Sequence, residues 1–218
     1  MSRHCPPLNA MGNELPNRHS HGRVAAQNPF ATRCTRPGTI PYFFGYSENL
    51  ATLLDRLDEL GGTAQIVGPH GSGKTTLLAM LVSHWRSLDR KIDQHQIRKT
   101  DNSTAMLFAG SASWNAETQI VIDSFDLLSR CQRARLLWFA KRRRCGFLVA
   151  SHRELARVPL LYRTQGSLQT TFRIVQRLLP PTCELIQTSD VAGCFERCNR
   201  NVRETLFGLY DMYEQRRR

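Results

Sequence analysis

Gly68-Pro69-His70-Gly71-Ser72-Gly73-Lys74-Thr75 matches G-x-x-x-x-G-K-[ST] at every fixed position. Thr63-Ala64-Gln65-Ile66-Val67 runs straight into it and reads as a short buried strand. Residues 75–85 read as the helix behind it. That strand–loop–helix order gives the pattern its physical meaning. Glycines let the backbone curl so that successive N–H groups point at phosphate oxygens. The helix start adds its positive end. Lys74 reaches the β- and γ-phosphates as a point charge, and the Thr75 hydroxyl ligates Mg2+. Gly68 through Thr76 are the expected contacts of a nucleoside triphosphate, with Mg2+ beside it.

The metal needs a carboxylate at a strand end, acting through water. Gln119-Ile120-Val121-Ile122-Asp123 reads as a buried strand and supplies it. Asp123 is therefore the expected metal partner beside Thr75; an ordinary strand-end cap is the plainer alternative. Ser124 is small and leaves room there. Asp126 fits two compatible roles: polarising the attacking water, and N-capping a helix expected over residues 126–143.

Further out, leucines at 50, 53, 54 and 57 predict a helix over 47–60, N-capped by Ser47 and ended by Gly61-Gly62. Ile92 to Ile97 alternates and predicts an edge strand, and a short helix is expected around 105–108. Gly146 to Ser151 reads as another buried strand. Within 168–178, Thr170-Thr171-Phe172-Arg173-Ile174-Val175 favours strand over helix. The tail after Pro180-Pro181 reads as helical. Alternating strands and helices imply an α/β fold with a mostly parallel sheet covered on both faces.

The order of the phosphate loop, Asp123-Ser124-Phe125-Asp126 and Phe147-Leu148-Val149-Ala150-Ser151-His152-Arg153 resembles the AAA+ and STAND (NACHT-like) P-loop ATPases, from about Phe44 to Tyr213. The first residues, rich in Pro, Asn, His and Arg and without periodicity, predict a flexible N-terminal segment (1–37), and Pro180-Pro181 marks the boundary between the P-loop NTPase core over 38–180 and a small C-terminal helical lid over 181–218. The STAND pattern has a small residue after the metal Asp and then two acidic residues. Ser124 and Asp126 fit it, but Leu127 stands in place of the second acid. The AAA+ pattern has Glu directly after the Asp, where this chain has Ser124. Both departures imply slow hydrolysis. The resemblance further places Ser151 or His152 beside the γ-phosphate as a sensor, with simple strand termination as the alternative. It puts Arg203, in Asn199-Arg200-Asn201-Val202-Arg203, on a lid helix reaching the same phosphate; one exposed arginine among many is the competing reading. Arg157 and Arg163 would act on a neighbour's nucleotide. Adenine would pack near Phe44-Gly45-Tyr46-Ser47-Glu48, with Tyr42, Phe43 and Phe44 as contacts, although at least two of these rings are expected in the core. Leu128-Ser129-Arg130-Cys131-Gln132-Arg133 has a passing likeness to the transporter-ATPase signature, but it follows Asp123 and lacks the glycines.

The 218 residues suffice for one α/β domain with an appendage. Lys and Arg total 30 against 18 Asp and Glu, a formal net charge of +12, with lysine only at 74, 91, 99 and 141. Such a surface attracts phosphate, free or in nucleic acid. No dense basic run with interleaved aromatics is read from the chain, so solvated faces explain the charge equally well. Seven cysteines without a CxxC fit reduced thiols in a cytoplasmic protein better than a disulfide framework. The spacing of His4, His19 and His21 is too irregular for a metal site. No signal peptide or membrane helix is expected.

The leading expectation is an ATP-binding protein, a slow Mg-dependent ATPase used as a switch towards a protein partner or a second copy of itself. The alternatives are a nucleic-acid-associated ATPase, a small-molecule kinase with an acceptor pocket in 98–118, and a protein that binds ATP and barely hydrolyses it. Absence of an Asn/Thr-Lys-x-Asp guanine motif after the sensor strand favours ATP over GTP.

Overall fold

The computed structural model describes residues 28–45, 48–99 and 102–218. Five strands form one sheet: β1 (Thr63–Val67), β2 (Lys91–Gln96), β3 (Thr118–Asp123), β4 (Gly146–Ser151) and β5 (Leu160–Arg163). The order is β2-β3-β4-β1-β5 and every pairing is parallel. The sheet is therefore α/β and doubly covered, as the alternation of elements predicts. β2 is an edge strand and β4 lies between β1 and β3. Asp123 thus sits on the second strand from β1, not on its immediate neighbour.

Alternate residues of the central strands serve two apolar layers. Ala64, Ile66, Val121, Leu148 and Ala150 pack against α2 (Leu50–Glu59) and α3 (Lys74–Ser87). Ile120, Ile122, Phe147 and Val149 pack against α4 (Ser103–Gly110) and α5 (Arg130–Arg142). One polar side chain is spent inside β1. Gln65 is fully buried; its Nε2 donates to the carbonyls of Leu155 and Val158, and its Oε1 accepts from Leu155 N. All its strong groups are paired, so it pins the β4–β5 connection without an unsatisfied polar group.

Two predicted elements differ. Residues 126–143 are not one helix: Phe125–Leu127 forms a 3-10 turn, and α5 begins only at Arg130, capped by Ser129, whose side chain accepts from Gln132 N. Ser124, with φ 60°, reverses the chain there and breaks helical continuity. Residues 168–178 form helix α6 rather than a strand. Ser167 caps it by accepting from Thr170 N, and its apolar residues recur on one face, with Val175 buried. Tertiary docking of that face outweighs the β-branched composition. Ser47 lies outside the described residues, and α2 is N-capped by Asn49 in a capping box with Thr52. β5 and the one-turn α1 (Thr32–Thr35) have no counterpart in the sequence reading.

A third cluster joins α6 to α7 (Thr188–Arg197) and α8 (Val202–Arg217). Phe30, only 1% exposed, enters this cluster and meets Tyr213 edge-on at 6.2 Å. Asn28 anchors the same turn, donating to Tyr210 O and Glu214 Oε1 and accepting from Phe30 N. The segment before the sheet is thus strapped to the C-terminal helices. Phe30→Ala removes the ring and leaves a cavity costing about 3 kcal/mol. The expected fall in melting temperature is roughly 6–12 °C for a chain of this size; an unchanged melt would show that the strap does not dock.

Candidate functional site

The carboxyl ends of β1, β4 and β3 meet at one edge, with Val67 in register with Ser151. The chain leaves β1 at Gly68, whose N–H bonds back to Ser151 O at 3.3 Å. A Cβ at Gly68 would collide with Thr164, so this exit requires glycine. The Thr164 hydroxyl lies 2.6 Å from Ser72 Oγ and fixes the loop from the β5 side. Gly71 and Gly73 have φ of +71° and +95°, which completes the curl into α3.

Inside the curl Lys74 is only 6% exposed. Its Nζ donates to Gly68 O at 2.7 Å and Pro69 O at 2.8 Å. Burial holds its pKa below the ordinary lysine value, with Asp123 and Asp126 opposing. Thr75 Oγ1 donates to Asp123 Oδ2 at 2.7 Å, and Asp123 Oδ1 accepts from Ser124 N at 2.8 Å. The predicted metal pair is therefore together at the loop. A hydroxyl and a carboxylate side by side are the hard oxygen donors that Mg2+ takes, directly or through water.

Asp126 is reached through an unpredicted partner. Its Oδ2 lies 3.0 Å from His152 Nδ1, and its Oδ1 is buried with no hydrogen-bond partner among the described residues. His152 also stacks on His70 of the loop, ring centroids 3.7 Å apart. Burial lowers the pKa of His70, with His152 and Lys74 adding to the effect and Asp126 opposing it. Ser151, in contrast, is fully buried and donates its hydroxyl to Arg153 O at 2.7 Å. Of the two sensor candidates, His152 faces the cavity beside the loop.

That cavity measures about 670 Å³. The loop residues His70–Thr76, Asp123 and Ser124 form its floor. Residues from the N-terminal segment, including Tyr42 and Phe43, form one wall; Ile174 of α6 and Val202, Arg203, Leu206 and Phe207 around α8 form another. Its size suits a nucleotide. Tyr42 and Phe44 also pack against the first apolar layer, edge-on to Tyr162. Phe43 is covered by the Arg173 guanidinium at 4.6 Å. Arg203 sits over Phe207 at 5.6 Å, on the cavity wall. Arg157 is exposed with φ 73°, and Arg163 pairs with Glu154 at 2.6 Å; neither lines the cavity.

The loop and the C-terminal helices touch directly. A Cβ at Gly71 would collide with Asn201 Oδ1. That same oxygen caps α8 by accepting from Arg203 N and Glu204 N. No sequence signal marks this pairing, because its partners are 130 residues apart. Gly71→Ala should therefore displace Asn201 and uncap α8. The expected cost is about 1 kcal/mol or more in a denaturant titration; an unchanged midpoint would mean that α8 does not rest on the loop.

No protein-family model matches the chain, and no curated protein matches it. Solved structures similar to it include a RuvB variant from Thermotoga maritima (TM-score 0.54, 17% identity, 75% of this chain and 60% of that chain covered). AMPPCP-bound DnaA from Aquifex aeolicus is another (0.52, 18%, 75% and 61%). A third is the replication initiator DnaA bound to AMPPCP and single-stranded DNA (0.56, 17%, 79% and 63%). The match spans about three fifths of the length of these chains. At such identities the likeness is one of fold: the chain has the parallel five-stranded α/β fold of the AAA+ P-loop ATPases.

Proposed function

We propose that the protein binds Mg·ATP in the cavity between its phosphate loop and α8, hydrolyses it slowly, and acts as a nucleotide-controlled switch. The observation that carries this reading is the shared cavity. Its floor is the loop, and one wall is α8, carrying Arg203. A nucleotide there would touch both parts, which supplies the differential affinity that a switch requires. The two DnaA structures hold AMPPCP, in agreement with a triphosphate in this fold.

Each loop group has a chemical role in this reading. Lys74 exchanges its carbonyl partners for β- and γ-phosphate oxygens. Thr75 and Asp123 would hold Mg2+, which when bound neutralises charge developing on the phosphates. An ionised Asp126 accepts from His152 Nδ1–H, so the neutral ring presents Nε2 as a base. Water attacks the γ-phosphorus, the bond to the bridging oxygen breaks, and His152 takes the water's proton before releasing it to solvent. Asp126 positions the ring and does not touch the water. This pair stands in for the glutamate that Ser124 displaces. Arg203 contacts the γ-phosphate from α8.

Phosphate release from Mg·ATP tests the proposal. Wild type should exceed Lys74→Ala, and His152→Ala should lower kcat about 100-fold with little change in KM. Asp126→Asn should fall between them. Equal release by wild type and Lys74→Ala would refute hydrolysis at this site. The described residues of 98–118 do not line the cavity, so an acceptor pocket for a small-molecule kinase has no support there. The nucleic-acid-associated reading keeps the support of the +12 charge.

A further inference from the structure

The segment Arg130–Arg144 holds seven basic residues and no acidic one, a local charge of +7 within a chain of +12. It is a dense basic run with aromatics in it, which corrects the reading of the charge as scattered. Folding makes it one surface. Leu136 and Ala140 bury the inner side of α5 in the second apolar layer. The outer side shows Trp138, 57% exposed, with Arg135 three residues before it and Lys141 and Arg142 three and four after. That spacing puts the indole and three cations on one stripe.

Among the described residues the cations of the stripe have no acidic partner. Arg143 is spent on the carbonyls of Ser111, Ala112 and Trp114, and so is structural. None of the seven has an acidic partner among the described residues. Arg142 lies 5.7 Å over the Trp138 ring, and Arg135 lies 5.0 Å from Phe108 and 5.5 Å from Phe139. Gathered on one face without acidic partners among the described residues, these cations repel one another. A polyanion laid along the stripe relieves that repulsion, and an exposed indole between cations is the platform on which an unpaired base stacks.

We propose that the Arg135–Trp138–Lys141–Arg142 face of α5 binds single-stranded nucleic acid, the cations on its phosphates and Trp138 on a base. A duplex hides its base faces and would use only the charges. The surface is separate from the nucleotide cavity, so the proposal does not depend on ATP binding. Ser129, which caps α5, lies three residues beyond Asp126, so the two sites share one turn.

The test is anisotropy of a labelled oligothymidine with the full chain across a salt series. Wild type should bind with steep salt dependence. Trp138→Ala should weaken binding about tenfold. The triple reversal Arg135→Glu, Lys141→Glu, Arg142→Glu should weaken it at least about 100-fold and flatten the salt slope by about 2. Trp85 and Trp114 are buried, so quenching of tryptophan fluorescence reports Trp138. Trp138→Phe should keep affinity within about threefold, since a phenyl ring still stacks, and lose the quench. Unchanged melting temperatures would confirm that these surface variants fold. Variants that bind like wild type would overturn the proposal. So would equal competition by poly-glutamate, which would indicate an acidic protein partner, or equal affinity for duplex.

Discussion

A lysine ammonium buried at the carboxyl edge of a parallel sheet is the constraint around which the rest is arranged. Taking a cation out of water is costly unless oxygens surround it. Here Gly68 O and Pro69 O accept from Nζ, and Asp123 and Asp126 partly offset the lowering of its pKa that burial causes. The tight exit at Gly68, the left-handed Gly71 and Gly73, and the Ser72–Thr164 bond all keep those carbonyls turned inward. The same edge carries Asp123, bonded to Thr75. The anion and metal proposed for this site would thus meet a cation, a hydroxyl and a carboxylate that the fold already holds together.

The second consequence lies in the C-terminal helices. Their apolar cluster is joined to the chain before the sheet through Asn28 and Phe30, and to the loop through Asn201 against Gly71. Asn201 has two tasks at once, capping α8 and resting on the loop. A shift of the loop at Gly71 would therefore meet Asn201 and, through its cap, the first turn of α8, which includes Arg203. This is a mechanical basis for the proposed switch and needs no long pathway.

Much of the fold was legible because its signals are local. Thr63–Val67 lies between two glycines, Phe147–Ala150 is a continuous apolar run, and both strands have the limits read from the sequence. The loop pattern and the strand ending in Asp123 were readable for the same reason. The misread parts depend on contacts distant in sequence. Thr170–Val175 has strand composition, but its helix is decided by docking on α7 and α8. β5 has four residues, too few for a period to show. The left-handed turn at Ser124 leads directly into the fully buried Phe125, and no composition marks it. At the site, His152 was one of two sensor candidates, and only the fold shows Ser151 turned away to Arg153 O and His152 facing both Asp126 and His70.

Hydrogen exchange of the full chain with and without Mg·ATP addresses the central claim most directly, namely that one nucleotide engages both loop and α8. The account predicts slower exchange in two separate stretches, 70–76 of the loop and 202–207 of α8, and loss of the second in Arg203→Ala. Protection confined to the loop, or protection of α8 that persists in Arg203→Ala, would contradict it.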